Sequence, residues 1–214
     1  GKTMKKIIAT IALAATFIGC TSTPKTEDGL CHIEGTTNER FEGKKIFLLP
    51  AEGPATMETV DSVVVTNGKF AFQSEPGEMK IIRIDYRYRT GVEDLLVVME
   101  PGNLEVIIDS ISSGKGTPQN DTLQAWKERT MQHYRSLAPY RIQAREAEKA
   151  GDRATIDALR QKIESLEKAY KKYSRDLTDR LKEGTLYEFL NTRFPYSYPK
   201  KMPDGTITTV HVEY

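Results

Sequence analysis

The segment that most constrains the fold is residues 60–72, VDSVVVTNGKFAF. Its first half is β-branched and apolar, and Lys69-Phe70-Ala71-Phe72 then alternates. Between them, Asn67-Gly68 can place two successive residues at φ > 0. A type I′ turn requires this, and its twist matches a right-handed β-ribbon. The segment predicts a β-hairpin at the centre of an antiparallel sheet. It specifies an architecture and no chemistry.

Further strands read from the same grammar. Residues 31–35 form a short first strand and 44–49 (KKIFLL) a second, ended by Pro50 and the Glu52-Gly53-Pro54 turn. Residues 79–88 alternate, with Ile82, Ile84, Tyr86 and Tyr88 on one face. Residues 94–99 (DLLVVM) are continuously apolar, the pattern of a central strand. Pro101 and Gly102 suit positions i+1 and i+2 of a type II turn, and 104–109 completes the set. About seven short strands at roughly ten-residue spacing predict an antiparallel β-sandwich over 30–116.

The second half carries helical periodicity. Thr117-Pro118 reads as N-cap and first helical residue. Leu123, Trp126, Thr130, Tyr134, Leu137 and Arg141 follow at three- and four-residue steps, with Pro139 expected to kink or break the helix. Ala150-Gly151-Asp152 can end this helix and cap the next. Ile156, Leu159, Ile163, Leu166, Tyr170, Tyr173 and Leu177 then repeat in 3-4 alternation, with Glu164–Lys168, Glu167–Lys171 and Asp176–Arg180 as i,i+4 pairs. One narrow apolar stripe needs a partner, the preceding helix first and a second copy next. The expected class is therefore α+β: a sandwich followed by a long helical hairpin over 117–184. In the remaining 185–214, Gly184 suits the end of the hairpin. Thr185 and Glu188 have capping-box spacing for a short third helix. A Pro/Tyr-rich tail follows, with a turn at Pro203-Asp204-Gly205 and alternation at Val210, Val212 and Tyr214.

The N-terminus has its own character. Lys5-Lys6 precede an uncharged run at 7–19. It is shorter than the ~20 residues that cross a bilayer, and it fits the apolar region of a secretory signal at 1–19. Phe17-Ile18-Gly19-Cys20 resembles a lipobox. The resemblance implies cleavage before Cys20 and acylation of that cysteine, palmitate included, with 20–29 as a lipidated tether. These features predict a lipoprotein in the envelope of a Gram-negative cell, periplasm-facing or surface-exposed, held to inner or outer membrane by its acyl chains.

Charge and cysteine content exclude several classes. Residues 27–109 hold 8 Lys/Arg against 16 Asp/Glu, and 110–214 hold 19 against 14, so the halves carry opposite signs, which favours mutual docking or separate partners. The net charge is +1 and the basic residues are interleaved with acids, so no nucleic-acid partner is expected. Two cysteines without a CxxC pair exclude a thioredoxin motif and a zinc knuckle. Cys31 is the one possible free thiol after lipidation of Cys20, and it reads as a small apolar strand residue. His32 beside it should point to the opposite face. His32, His133 and His211 are too scattered for a metal site. Gly114-Lys115-Gly116-Thr117 lacks the upstream glycine of a phosphate loop and reads as a flexible domain junction. GxSxG and HExxH are absent, so neither a catalytic residue nor a cofactor is expected.

Asp61-Ser62-Val63, Asn67-Gly68-Lys69-Phe70-Ala71-Phe72, Met99-Glu100-Pro101-Gly102-Asn103, Gly114-Lys115-Gly116-Thr117 and Asn120-Asp121 together resemble a Bacteroidetes-type domain of unknown function. That domain usually precedes a thioredoxin-like domain in thiol–disulfide oxidoreductase lipoproteins. The resemblance covers about 30–121. It implies a small envelope β-sandwich and transfers no catalytic residue. The expected function is a non-enzymatic envelope lipoprotein acting as an interaction or binding module. Its partners would be the membrane, through the lipid, and a protein or a second copy, through the helical hairpin. The alternative is the accessory N-terminal half of a thiol–disulfide oxidoreductase whose thioredoxin-like domain is missing or separate.

Overall fold

The structure is a computed structural model that describes residues 28–88 and 91–214. The signal segment, Cys20 and the tether up to residue 27 lie outside the described residues. The class is α+β, with ten strands and three helices among the described residues. Eight strands form two four-stranded sheets, of orders β4-β1-β7-β8 and β3-β2-β5-β6. The first contains β1 (Cys31–Thr37), β4 (Lys69–Ser74), β7 (Gly102–Ile108) and β8 (Ser113–Lys115). The second contains β2 (Lys45–Pro50), β3 (Asp61–Val64), β5 (Met79–Ile84) and β6 (Leu95–Val98). One apolar core joins the two sheets: Ile33, Phe70, Phe72, Leu104, Val106 and Ile108 meet Ile46, Leu48, Ile82, Ile84, Leu95 and Val97. Strict alternation on β4 and β7 selects those inward faces.

Several expectations are corrected. The strands number eight in the two sheets rather than seven, and the first sheet is mixed, because β1 and β7 run parallel. The Asn67-Gly68 turn forms as expected, with φ of 54° and 68° and paired bonds between Thr66 and Lys69. It does not sit at a sheet centre, however. β3 and β4 are edge strands of different sheets, so the hairpin is the corner that carries the chain from one sheet to the other. β5 ends at Ile84 and gives way to a 3₁₀ turn at Tyr86–Tyr88, where the Tyr88 N–H donates to the Asp85 carbonyl. The apolar run around β6 is also an edge strand. It is apolar on both faces because Leu95 and Val97 enter the sheet–sheet core while Leu96 and Val98 lie under helices. Finally, Ser113-Gly114-Lys115 is strand β8 on β7, not a flexible junction.

Gly35 in β1 shows how tightly the core closes. A Cβ there would lie 2.0 Å from the Phe70 ring, so only glycine lets that ring cross the strand.

Helix α1 (Pro118–Ala150) runs through Pro139 without interruption. Proline removes one N–H, which here orphans the Arg135 carbonyl. Pro139 and Arg135 are both exposed, so water can satisfy that carbonyl, while fully buried Leu137 fixes the turn between them. Gly151 at φ 67° ends α1, and Asp152 caps α2 (Arg153–Leu181) by accepting from the Thr155 N–H. The two helices pack antiparallel, with Arg141 paired to Glu167 across them at 3.4 Å. The other ion pairs on α2 are Arg160–Asp157, Lys172–Asp176 and Arg175–Asp179 rather than the i,i+4 set expected. α3 (Thr185–Arg193) is capped by Gly184, not by a Thr185 capping box, and Gly184 is therefore an N-terminal cap rather than the end of the hairpin. Among the described residues no helix is long and apolar enough to cross a membrane. The tail folds as a separate two-stranded hairpin, β9 (Ser197–Lys201) and β10 (Ile207–His211). β9 is unheralded in the sequence because Pro199 interrupts it.

Candidate functional site

The most elaborately built region is the seam where the helices meet the second sheet. It starts from an edge-strand problem: β6 has no strand beyond it, so Val98 would present a buried N–H and C=O without partners. Asn120, in the first turn of α1, answers with a side-chain amide. Its Oδ1 accepts from the Val98 N–H at 2.8 Å, and its Nδ2 donates to the Val98 carbonyl and to Thr117 Oγ1, both at 2.8 Å. Two turns on, Lys127 Nζ donates to the Leu96 carbonyl at 3.0 Å. Burial lowers the Lys127 pKa to about 8, against the pull of Glu93 and Glu128. Gln124 Oε1 accepts from the Gly114 N–H of β8. Thus the first turns of α1 serve as a side-chain substitute for a missing strand.

A second relay joins three elements. Buried Glu100 accepts from the Gln119 N–H at 2.8 Å and from Gln119 Nε2 at 2.7 Å. Gln119 Oε1 in turn accepts from the Leu186 N–H of α3, which explains why Gly184 suffices as the cap. Beneath these bonds lies an apolar cluster of Met79, Val98, Leu123, Tyr170, Leu177 and Leu190, crossed by Trp126. Trp126 meets Phe189 and Phe194 edge-on, and its Nε1 donates to Ser174 Oγ at 3.0 Å. The halves of opposite charge do dock, but through these amide bonds and apolar contacts.

Arg175 is the centre of the far side of the seam. Its side chain is 2% exposed. It donates to Asp179 at 2.7 Å, to Asn191 at 2.8 Å and to the Phe194 carbonyl at 2.6 Å, and lies 4.3 Å from the centre of the Tyr196 ring. The Tyr196 hydroxyl bonds the same Asp179 carboxylate, and that bond and Arg175 hold Asp179 below the usual carboxylate range. Tyr214 Oη donates to the Pro195 carbonyl at 2.8 Å. This cluster ties the root of the β9–β10 hairpin to α2.

A cleft of about 550 Å³ opens beside the seam, between the loop residues Glu52 and Glu78 with Met79 of β5 on one side and Thr185, Glu188 and Phe189 of α3 on the other. Its lining carries the carboxylates of Glu52, Glu78 and Glu188 and the hydroxyls of Thr185 and Thr192, with no cation, thiol or imidazole.

The singled-out residues do not converge. Cys20 lies outside the described residues. Cys31 is fully buried at the start of β1, and burial pushes its thiol pKa up, away from thiolate chemistry. His32 bonds Asp28 at 2.7 Å. His133 stacks on Tyr170 at 4.3 Å, and burial lowers its pKa. His211 is on exposed β10. Among the described residues no group of three His, Cys, Asp or Glu is placed to hold a metal ion. Tyr170 is a seam residue whose hydroxyl meets Thr130 at 2.7 Å. Sequence reasoning passed over Gln119 and Arg175, and met Glu100 and Asn120 only as residues of the family resemblance, without a role for their side chains.

Residues 31–123 match a known family model, over β1 to β8 and the first turns of α1. They are similar to DUF4369, a domain of unknown function. The match runs past β8 to include Asn120, which closes the β6 edge at Val98, and stops short of Lys127. No curated protein and no solved structure matches the chain.

Proposed function

We propose that this chain is a non-enzymatic, lipid-anchored protein of the Gram-negative cell envelope, in which the DUF4369-like domain is a β-sandwich platform that carries a helical hairpin to a protein partner or a second copy. The observation that carries this reading is the state of the outer half of that hairpin. α1 is roughly 50 Å long at 1.5 Å per residue, and Asn120, Gln124 and Lys127 near its start bond the sheets. Beyond them, the seam residues Ile156, Leu159, Ile163 and Leu166 of α2 are only partly covered, and Ile142 of α1 is 50% exposed. A two-helix arm with an incompletely covered stripe is suited to completing a bundle with another protein.

The lipobox supports the anchor. Cys20→Ala should move the protein from the membrane fraction to the soluble one, and continued membrane partitioning would end the lipoprotein reading. A photo-crosslinking residue at position 142 should capture a discrete adduct in cells, and Ile163→Lys should abolish it while the melting temperature stays within a few degrees. An adduct pattern unchanged by Ile163→Lys would end the arm reading. Service as half of a thiol–disulfide oxidoreductase would have to proceed without Cys31, whose sulfur is sealed in the core.

A further inference from the structure

The β9–β10 hairpin has two free edges, and they are not equivalent. The Met202 N–H donates to the Thr206 carbonyl and the Val212 N–H to the Tyr196 carbonyl. Pairs in an antiparallel ladder alternate between bonded and non-bonded. The 198–210 and 200–208 pairs are therefore bonded inward, whereas Ser197, Pro199 and Lys201 on β9 and Ile207, Thr209 and His211 on β10 turn their peptide groups outward. The β9 edge is protected twice: Pro199 has no N–H to offer, and lysines flank it. The β10 edge has no such protection. Its sequence, Ile-Thr-Thr-Val-His, holds no proline, lysine, arginine or carboxylate, and Ile207 is 74% exposed. Among the described residues the outward groups of Ile207, Thr209 and His211 have no backbone partner.

We infer that the β10 edge is a self-association edge, where a second copy of this chain pairs its own β10 antiparallel about a two-fold axis through Thr209. The register closes on itself. Ile207 bonds His211 of the second copy, Thr209 bonds Thr209, and His211 bonds Ile207, so roughly six backbone hydrogen bonds satisfy every outward donor and acceptor. Thr209 meets Thr209, a favourable cross-strand pair, and each Ile207 is covered by a His211. No like charges face each other, because Lys200 and Lys201 stay on the outer strands of the resulting β9-β10-β10-β9 sheet. Arg175 and Tyr196 hold the hairpin root in one orientation, so little ordering is required on association. The contact is small and therefore weak in dilute solution. It does not depend on the lipid anchor, although confinement to a membrane would raise its occupancy.

The test uses the full chain in detergent with Cys20→Ala, which leaves buried Cys31 as the only other thiol. Thr209→Cys places two Cα atoms about 5.5 Å apart across the axis, within disulfide range. Thr208→Cys, on the same exposed strand, places them about 8 Å apart, outside it. Under mild oxidation the Thr209→Cys dimer should form at least tenfold faster. Thr209→Pro, which mirrors Pro199 and costs the hairpin no internal bond, should shift sedimentation of the otherwise native chain toward monomer with an unchanged circular dichroism spectrum. Equal rates for the two cysteine variants, disulfide from neither, or sedimentation indifferent to Thr209→Pro would overturn the inference and leave the edge to a strand of some other protein.

Discussion

In the two-sheet body, Ile33, Ile46, Leu48 and Ile82 are sealed between facing sheets; in the outer arm, Ile156, Leu159, Ile163 and Leu166 line one seam and stay partly open to water. The same residue types thus sit in two settings. Sealed, they supply the hydrophobic free energy that holds the body together. Half-covered, they contribute less. Between the two regions lies the seam, where stability depends on particular polar atoms: the Asn120 amide, the Glu100–Gln119 relay and the Arg175 guanidinium.

The largest expected contrast tests the sealed core directly. Ile82→Ala should lower the unfolding free energy by about 2–5 kcal/mol, while Leu159→Ala in the arm should cost below about 1 kcal/mol. Equal costs in denaturant titrations would erase the distinction between body and arm. Next comes the far side of the seam. Arg175→Met strands the half-buried acceptors on Asn191 and Phe194 and should cost roughly 1–3 kcal/mol. Hydrogen exchange should then quicken in α3, β9 and β10 and stay unchanged in β1 and β7. Uniform quickening would mean that the terminal hairpin is not fastened separately. At the β6 edge, Asn120→Ala should cost roughly 1–3 kcal/mol. Asn120→Asp should cost at least as much, because a carboxylate would then face the Val98 carbonyl. A milder Asp variant would show that the amide's donor side is dispensable.

The smallest effect is in pH. Lys127 titrates at about 8 in the folded chain against an ordinary value of 10.5, because burial disfavours its charged form. Below about 8, folded and unfolded chains both hold the proton and this group contributes no slope. Between about 8 and 10.5 the unfolded chain holds more protons, so stability should rise with pH. That rise should disappear in Lys127→Met, as measured by denaturant unfolding across this range.

Much of this division was legible in the residues. Asn67-Gly68 announced its turn, Gly151-Asp152 its helix reversal, and the 3-4 spacing of 156–177 its seam, because each is local chemistry. Errors arose wherever a distant element decided the outcome. β6 looked central because apolarity on both faces signals two covers without saying whether the second is a sheet or a helix. Gly114 became strand through β7 and Gln124, neither of which its own neighbourhood encodes. Thr185 lost its capping role to Gln119, 66 residues earlier in the chain. The seam was the least legible region, since Asn120, Gln119 and Arg175 act through partners that only the fold brings near.

The base of α1 is gripped by short, directional bonds from Asn120, Gln119 and Lys127, and the helix extends about 50 Å in all. It is a lever with a stiff fulcrum. A tilt of about 1° at the base would swing the Gly151 tip by nearly ~1 Å by simple trigonometry on that length. Displacements too small to break a single bond at the body would therefore be magnified at the far end, and a load applied to the tip would return to the body as torque on three side chains.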